Sequence, residues 1–372
     1  MTDKNKSILS SSAFVVYIYL FLGMLFSETN AEEKIKIGVA VPLTGVAAAY
    51  GTDIKNALEF ANKRIANSEY ELIVEDDHCI DKDAVGVAHK LVSVDKVKYV
   101  LGFGCSGTVL AAAPVYDSAK VVIIASGTGA PAITFAGDYI FRTKPTLNFA
   151  GQLLAEDMAK KFKKVAILSE ETAYCLGIAD AVTKSAAKLN LEVINETYLS
   201  GTDDFRTILL RLKSKGVEGI FLNTQAEPGM VDLYKQFKTL NWNAQVYGTF
   251  TPGSAAFLSA LGEKADGIIY ADMAFNDLML DENGRKLVSD FEKEYGKIKS
   301  AEHFLSLSLI SFSTLNEAIQ SKKDVKEYLY NTKFNNLVVG GYSFDKNGDV
   351  VSDKLNYVLK TVKNGGVVTY SN

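Results

Sequence analysis

Residues 98–131 read KYVLGFGCSGTVLAAAPVYDSAKVVIIASGTGAP. The stretch holds two short apolar runs, 99–101 and 121–125, each too short for a helix, bounded by glycines and rich in β-branched residues, which is the pattern of buried parallel strands. Each run leads into a loop of small residues: Cys105-Ser106-Gly107-Thr108 after the first, Ser126-Gly127-Thr128-Gly129 after the second. In an open parallel sheet, ligands bind at the carboxyl ends of the strands, where such loops lie side by side. Two neighbouring turns of hydroxyls and unpaired backbone N–H groups therefore form a cradle for a small anion.

The first loop also satisfies G-x-G-x-x-G, as Gly102-Phe103-Gly104-Cys105-Ser106-Gly107, with an apolar segment at 109–119 behind it. That is the phosphate turn of a dinucleotide site. The acid that would hold the ribose about 20 residues on is missing, because that position falls near Ala125 and Ser126. The motif is also not in the first βα turn, so neither a nucleotide nor another cofactor is expected.

Outward from this stretch, the chain has 372 residues, 48% hydrophobic and 23% charged, with a net charge of -4. It is long enough for two core-bearing domains, and its mild acidity argues against nucleic acid or anionic lipid as a partner. At the start, Lys4 and Lys6 precede an apolar run at 13–26 and a small-x-Ala-like site, Thr29-Asn30-Ala31. Residues 1–31 therefore read as a cleaved secretory signal peptide rather than an anchor, and no later segment reaches the ~20 apolar residues of a membrane helix. The mature chain is expected to be exported and soluble.

Export changes the reading of the three cysteines. Cys79 and Cys105 sit in loops just beyond strands at one edge of the sheet. In an oxidising compartment they can pair, closing a loop of about 26 residues for about 3–4 kcal/mol; two unpaired thiols are the other reading. Cys175 is left over as a small buried residue beside Tyr174.

The mature chain alternates strand and helix. Strands are expected at 35–41, 72–75 and 139–141 besides the central pair, and in a second series at 165–168, 191–198, 219–222 and 245–248. Helices lie between them, one with Ile54, Ala57, Leu58, Ala61 and Ile65 on a single face. Such alternation gives an α/β fold of parallel sheets with helices on both faces, and two series give two domains. The tail breaks the pattern with helices at 304–319 and 325–330 and a hairpin at 342–351, whose Asn347-Gly348 is a type I′ signal. Asp345-Lys346-Asn347-Gly348-Asp349 resembles a calcium loop only loosely, since its Gly comes too early and Asn356 stands where the bidentate Glu belongs.

Two catalytic or metal readings are weaker still. Asp76, Asp77, His78, Cys79 and Asp81 are ligand types, but adjacent residues point in different directions, so a solvated loop is preferred. A Ser-His-Asp hydrolase would need His78, His89 or His303; His89 is mid-helix, His303 near a helix start, and Ser106 lies in G-x-S-G rather than the G-x-S-x-G elbow. No catalytic residue, no metal and no enzymatic activity are expected.

The order of features resembles the periplasmic substrate-binding proteins of ABC transporters in the leucine/isoleucine/valine-binding class, the type I periplasmic binding proteins. The resemblance rests on KIKIGVAVPLTG with AYG after it, Asp76-Asp77 followed by Cys79 and DAVGVAHKLV, GFGCSGT, IIASGTGAPAIT, YIFRT, LSEETAYCLG and DDFRTILLRLKSKGVEGIFL. It implies two Rossmann-like lobes joined by a three-segment hinge: 32–146 plus 274–354 as lobe 1, and 147–273 plus 355–372 as lobe 2. It supports the Cys79–Cys105 disulfide.

By the same resemblance, Ser106 and Thr128 would hold a ligand carboxylate with Ser126 and Gly127 beside them, while Tyr50, Tyr174, Gln225 and Phe304 close over it. Two positions that are commonly acidic in amino-acid binders of this class are Phe250 and Phe149 here. A buried ligand ammonium without a carboxylate costs several kcal/mol. Either Glu170, Glu171 or Glu227 substitutes, or the ligand is an aromatic or aliphatic carboxylate without an amine. The expected function is capture of a branched-chain or hydrophobic amino acid, or a related acid, by a monomer that delivers it to a membrane ABC permease and does not engage nucleic acid; a periplasmic ligand sensor of the same fold is the alternative.

Overall fold

The computed structural model describes residues 34–371. The signal segment expected at 1–31 lies outside the described residues.

Strands β1 (Lys36–Val41), β2 (Glu71–Asp76), β3 (Tyr99–Gly102), β4 (Val122–Ala125) and β5 (Ile140–Arg142) form a five-stranded sheet in the order β2-β1-β3-β4-β5. All neighbours are parallel. The crossovers include α1 (Ala48–Ile65), α2 (Asp81–His89) and α3 (Ser106–Ser118). Helix α1 buries Ile54, Ala57, Leu58 and Ala61, the face given by their spacing. It can start hard against the end of β1 because a Cβ on Gly51 would lie 1.9 Å from the Pro42 carbonyl oxygen, so only glycine fits there.

A second series follows: α4 (Leu147–Lys161), β6 (Lys164–Glu170), α5 (Ala173–Lys188), β7 (Glu192–Tyr198), α6 (Arg206–Ser214), β8 (Gly219–Asn223), α7 (Glu227–Thr239), β9 (Gln245–Gly248) and β10 (Ile269–Met273). The chain then returns to the first sheet with α8 (His303–Gln320), which packs on α1, and with the ribbon β11 (Phe334–Asn335), β12 (Gly340–Phe344) and β13 (Val350–Ser352). Helix α8 has no solvent face over most of its length, since residues 303–315 are all buried.

The tail departs from the alternation further than expected. Beyond the ribbon, β14 (Tyr357–Lys363) and β15 (Gly366–Thr369) form a second hairpin, antiparallel to β10, so that the second sheet has seven strands in the order β15-β14-β10-β9-β8-β6-β7. The expected hairpin at 342–351 is present, but its turn is not type I′. Only Gly348 of its loop has positive φ (77°), and the Asp345 carboxylate accepts from the Asn347 and Asp349 N–H groups, making a longer loop with its own side-chain anchor.

Both sheets are doubly wound, and each reverses its strand order at one place: between β1 and β3 in the first, between β6 and β8 in the second. The crevice beyond the strand ends at such a reversal is where this architecture binds ligands. The chain passes between the sheets after β5, after β10 and after β13, which makes two lobes on three connections.

Cys79 and Cys105 are disulfide-bonded, with Cα atoms 5.6 Å apart. The bond ties the loop after β2 to the loop after β3, on the rim of the first crevice. Replacing both cysteines by alanine is expected to lower stability by about 3–4 kcal/mol, read as a lower urea midpoint at unchanged slope. Cys175 is free and buried, and burial pushes its thiol well up from the usual range.

Candidate functional site

The two crevices face each other. Tyr50, at the start of α1 beyond β1, donates its hydroxyl to the Gln225 carbonyl oxygen beyond β8 at 3.2 Å, across the gap between lobes. The Tyr50 ring stacks on Phe304 with centroids 4.6 Å apart. Phe250, in the loop after β9, stands edge-on to Tyr50 at 5.8 Å, to Tyr174 at 5.7 Å and to Phe304 at 5.7 Å. Four rings from four elements thus wall one site.

The hydroxyl turn lies against that wall. A Cβ on Gly127 would come within 2.6 Å of Phe304 Cε1, so the ring rests on bare backbone there. Ser106 is the first residue of α3, and its hydroxyl oxygen accepts from the Ala130 N–H at 3.3 Å. Ser126 turns its hydroxyl back onto the Gly102 carbonyl at 3.0 Å, 3.2 Å from the Ser308 hydroxyl. Thr128 Oγ1 is buried with no hydrogen-bond partner among the described residues. An unsatisfied buried hydroxyl costs free energy that an incoming ligand oxygen recovers.

Of the ten residues expected from the sequence, Tyr50, Tyr174, Phe250 and Phe304 meet as rings, Gly127 lies against them and Gln225 faces Tyr50, whereas Phe149 stands apart. In the first turn of α4, Leu147, Ala150 and Gly151 face inward, and Phe149 points out, 57% exposed, into a separate groove of about 330 Å³ shared with Leu153, Val350 and Leu355. A larger cavity of about 600 Å³ opens at the rim of the cleft, between His78 and the disulfide on one lobe and Glu170, Thr172 and Ser200 on the other. Gln225 is the expected site residue that lines it.

The candidate acids divide. Glu170 is tied down at the rim, accepting from the Gln225 N–H at 2.8 Å and from the Ser200 hydroxyl at 2.7 Å. Glu171 accepts from the Thr197 hydroxyl. Glu227 is buried in the first turn of α7, and burial pushes its carboxyl up to about 7 against the pull of the Tyr50 hydroxyl, its own backbone N–H and Ser254. Of the loop acids considered for a metal, Asp76 accepts from the Leu43 and His78 N–H groups, and Asp77 accepts with Oδ1 from that of Cys79 while its Oδ2 is buried without a hydrogen-bond partner among the described residues. Among the described residues no group of three or more His, Cys, Asp or Glu is placed to hold a metal ion.

A charged cluster, of which the sequence reading weighed only His303, lies behind the rings. Lys144, on the connection after β5, is 1% exposed, and its Nζ lies 2.9 Å from His303 Nε2 and 3.5 Å from the Gly127 carbonyl oxygen. His303 Nδ1 lies 2.9 Å from Asp272 Oδ1, whose other oxygen pairs with Lys360 at 3.1 Å. The Lys144 ammonium therefore donates to Nε2, and the imidazole proton sits on Nδ1, facing Asp272. Burial, then the neighbouring Lys144, pushes His303 down to about 4. Burial alone would raise Asp272, but Lys360 and then His303 outweigh it and hold the carboxyl well below its usual range. Burial lowers Lys144 to about 8 even though Asp272 opposes the shift.

Two doubly wound lobes that meet at their crevices, on three connections, with aromatic rings and a hydroxyl turn between them, define a class: proteins that take a small ligand between lobes and close by hinge motion. The chain belongs to the periplasmic binding protein family, whose sequence profile matches residues 34–365. Within it the chain is similar to the Leu/Ile/Val-binding protein of Escherichia coli K12, 26% identical over 341 residues, which is 88% of this chain and 91% of that protein. The fold is that of the leucine binding protein LivK from Thermotoga maritima, with a TM-score of 0.82 at 22% identity, covering 91% of this chain and 98% of that one. A solute binding protein of an ABC transporter from Rhodopseudomonas palustris BisB5, solved in complex with 3,4-dihydroxy benzoic acid, is similar with a TM-score of 0.78 at 25% identity over 91% of this chain and 97% of that one.

Proposed function

We propose that this chain is the periplasmic solute-binding component of an ABC transporter. It takes a small carboxylate-bearing ligand, a branched-chain or hydrophobic amino acid or a related acid, between lobe 1 (32–146 plus 274–354) and lobe 2 (147–273 plus 355–372), and presents the closed form to a membrane permease. The observation that carries this reading is the meeting of the two crevices at Tyr50 and Gln225, with the open Thr128 hydroxyl and the Ser106 helix start beside it. The ligands named for the E. coli and Rhodopseudomonas relatives, amino acids in one and a benzoic acid in the other, share a carboxylate.

The protein acts as a monomer, exported through a signal peptide cleaved after residue 31, and it performs no chemistry on its ligand. His303 supports the last point: its Nε2 is taken up by Lys144, its Nδ1 lies 2.9 Å from Asp272, and among the described residues no serine, threonine or cysteine is hydrogen-bonded to either nitrogen. Among the described residues no helix is long and apolar enough to cross a membrane.

A thermal-shift panel of amino acids, aliphatic acids and aromatic acids tests the reading. A ligand at 100 times its dissociation constant adds about 2.7 kcal/mol to stability. The pair Ser106→Ala with Thr128→Ala removes two donors to a charged oxygen, at about 1.5–3 kcal/mol each, and so lowers affinity at least about 100-fold. Unchanged affinity in that double variant overturns the site.

A further inference from the structure

We infer that the ligand of this cleft is a carboxylate with an apolar or aromatic body and no α-amine, and that the Lys144 ammonium is its counter-ion. The inference rests on the carboxylate-capture reading above and names the class of carboxylate.

The argument starts from charge. The cluster behind the rings holds two ammonium groups, Lys144 and Lys360, one imidazole, His303, and one carboxylate, Asp272, each 5% exposed or less. Asp272 pairs directly with Lys360, and Glu302, on the exposed side of α8's start, faces Lys360 as well. Among the described residues Lys144 is hydrogen-bonded to the neutral His303 nitrogen and, at 3.5 Å, to the Gly127 carbonyl, and the Asp272 carboxylate acts on it without a direct pair. A buried ammonium without a paired anion is costly unless a carboxylate joins it. The hydroxyl turn is the neighbouring place for one: the Gly127 carbonyl oxygen lies 3.5 Å from Lys144 Nζ, and the next residue is Thr128, whose buried hydroxyl has no partner among the described residues.

The second step concerns the amine. The Lys144 ammonium lies 5.1 Å from the centroid of Phe250, 5.7 Å from Phe304 and 5.9 Å from Tyr174. Three ring faces or edges around one cation form a cage of the kind that holds ammonium groups. The chain thus fills its own ammonium cage from within. In an α-amino acid a single carbon separates the ammonium from the carboxylate, so a pose that brings the carboxylate to Lys144 brings a second ammonium beside the first. Glu227, the buried acid of this cleft, keeps Oε1 without a hydrogen-bond partner among the described residues, but it lies by Tyr50 and Ser254 and not in the Lys144 group, so an amine beside Lys144 is not at its carboxylate. Like charges crowded in a dry site exclude the amine.

The test compares matched pairs on the purified protein by calorimetric titration at neutral pH: 3-phenylpropanoate against L-phenylalanine, and 4-methylpentanoate against L-leucine. Each pair shares a carbon skeleton and differs by the amine. At least one acid is expected to bind about 30-fold or more tightly than its amino acid, and Lys144→Met is expected to weaken that acid by a similar factor. An amino acid that binds as tightly as its acid overturns the inference and leaves carboxylate capture standing. So does a Lys144→Met protein whose affinity for the acid stays within about threefold of the parent, a difference of less than 1 kcal/mol. Failure of both acids and both amino acids to bind overturns the carboxylate reading itself, and this inference with it. Should Lys144→Met not fold, the matched pairs on the unaltered protein still decide.

Discussion

Replacing Asp272 by Asn lowers the stability of the unliganded protein by about 3–5 kcal/mol, the cost of removing one partner from a buried ion pair. The side chain is 5% exposed and sits between Lys360 at 3.1 Å and His303 at 2.9 Å. Asparagine keeps the shape and removes the charge, so Lys360 and Lys144 are left as two buried cations with no buried carboxylate between them. The loss is specific to that imbalance. Adding Lys360→Met, which withdraws one of the cations, restores a large part of it, whereas two unrelated lesions would add. Urea denaturation of the parent, the two single variants and the double variant closes this cycle, and strict additivity of the two single effects contradicts it. The same cluster bridges the lobes: Asp272 and Lys360 belong to strands of the second sheet, Lys144 to the first connection and His303 to α8 on the first lobe. The variant is therefore also expected to loosen closure, seen as faster hydrogen exchange at the start of α8.

Why this cluster escaped the sequence while the hydroxyl turn did not is a matter of range. Ser126, Gly127 and Thr128 are consecutive, follow an apolar run and carry their chemistry in their local pattern. Lys144, Asp272, His303 and Lys360 are spread over more than 200 positions and meet only when both sheets and α8 are assembled. Each alone reads as an ordinary surface charge, since lysine and aspartate are rarely buried. One signal was present: Asp272 interrupts the apolar run Ile268-Ile269-Tyr270-Ala271 and Met273, where a charge has to be paired if the strand is interior. The alternation of elements was likewise visible in order and spacing, while for Cys79 and Cys105 the residues left both a pair and two free thiols open and the family resemblance supported the pair that the structure contains. Phe149 was misplaced because the helix face, rather than the position in the chain, decides where it points: its neighbours Leu147 and Ala150 take the inward directions. The closing hairpin was missed because Asn364 and Gly365, its turn residues, end a stretch whose polar and apolar residues alternate with lysines that resemble a solvated tail.

Phe250→Glu is expected to abolish binding of amine-free acids, by about 100-fold or more, without conferring binding of amino acids. On the sequence alone, an acid at this position would favour amines, because it restores the carboxylate that amino-acid binders of the class commonly place there. The structure changes that expectation. The Phe250 ring centroid is 5.1 Å from the Lys144 nitrogen, so a glutamate carboxylate at 250 reaches the internal ammonium and occupies the place of the ligand's own carboxylate. A carboxylate so paired has no charge left to offer an incoming amine. Amino acids gain entry only when the internal ammonium is withdrawn as well, so Phe250→Glu combined with Lys144→Met is the variant expected to bind L-phenylalanine and to reject 3-phenylpropanoate. Titration of both compounds into the parent, the single variant and the double variant separates the steps. Melting temperature cannot replace titration here, because Phe250 contacts Tyr50, Tyr174, His303 and Phe304 and its loss destabilises the protein whatever the ligand. A single variant that already binds L-phenylalanine would show that Lys144 does not fill the amine's place, and the specificity of the cleft would then lie with Glu227.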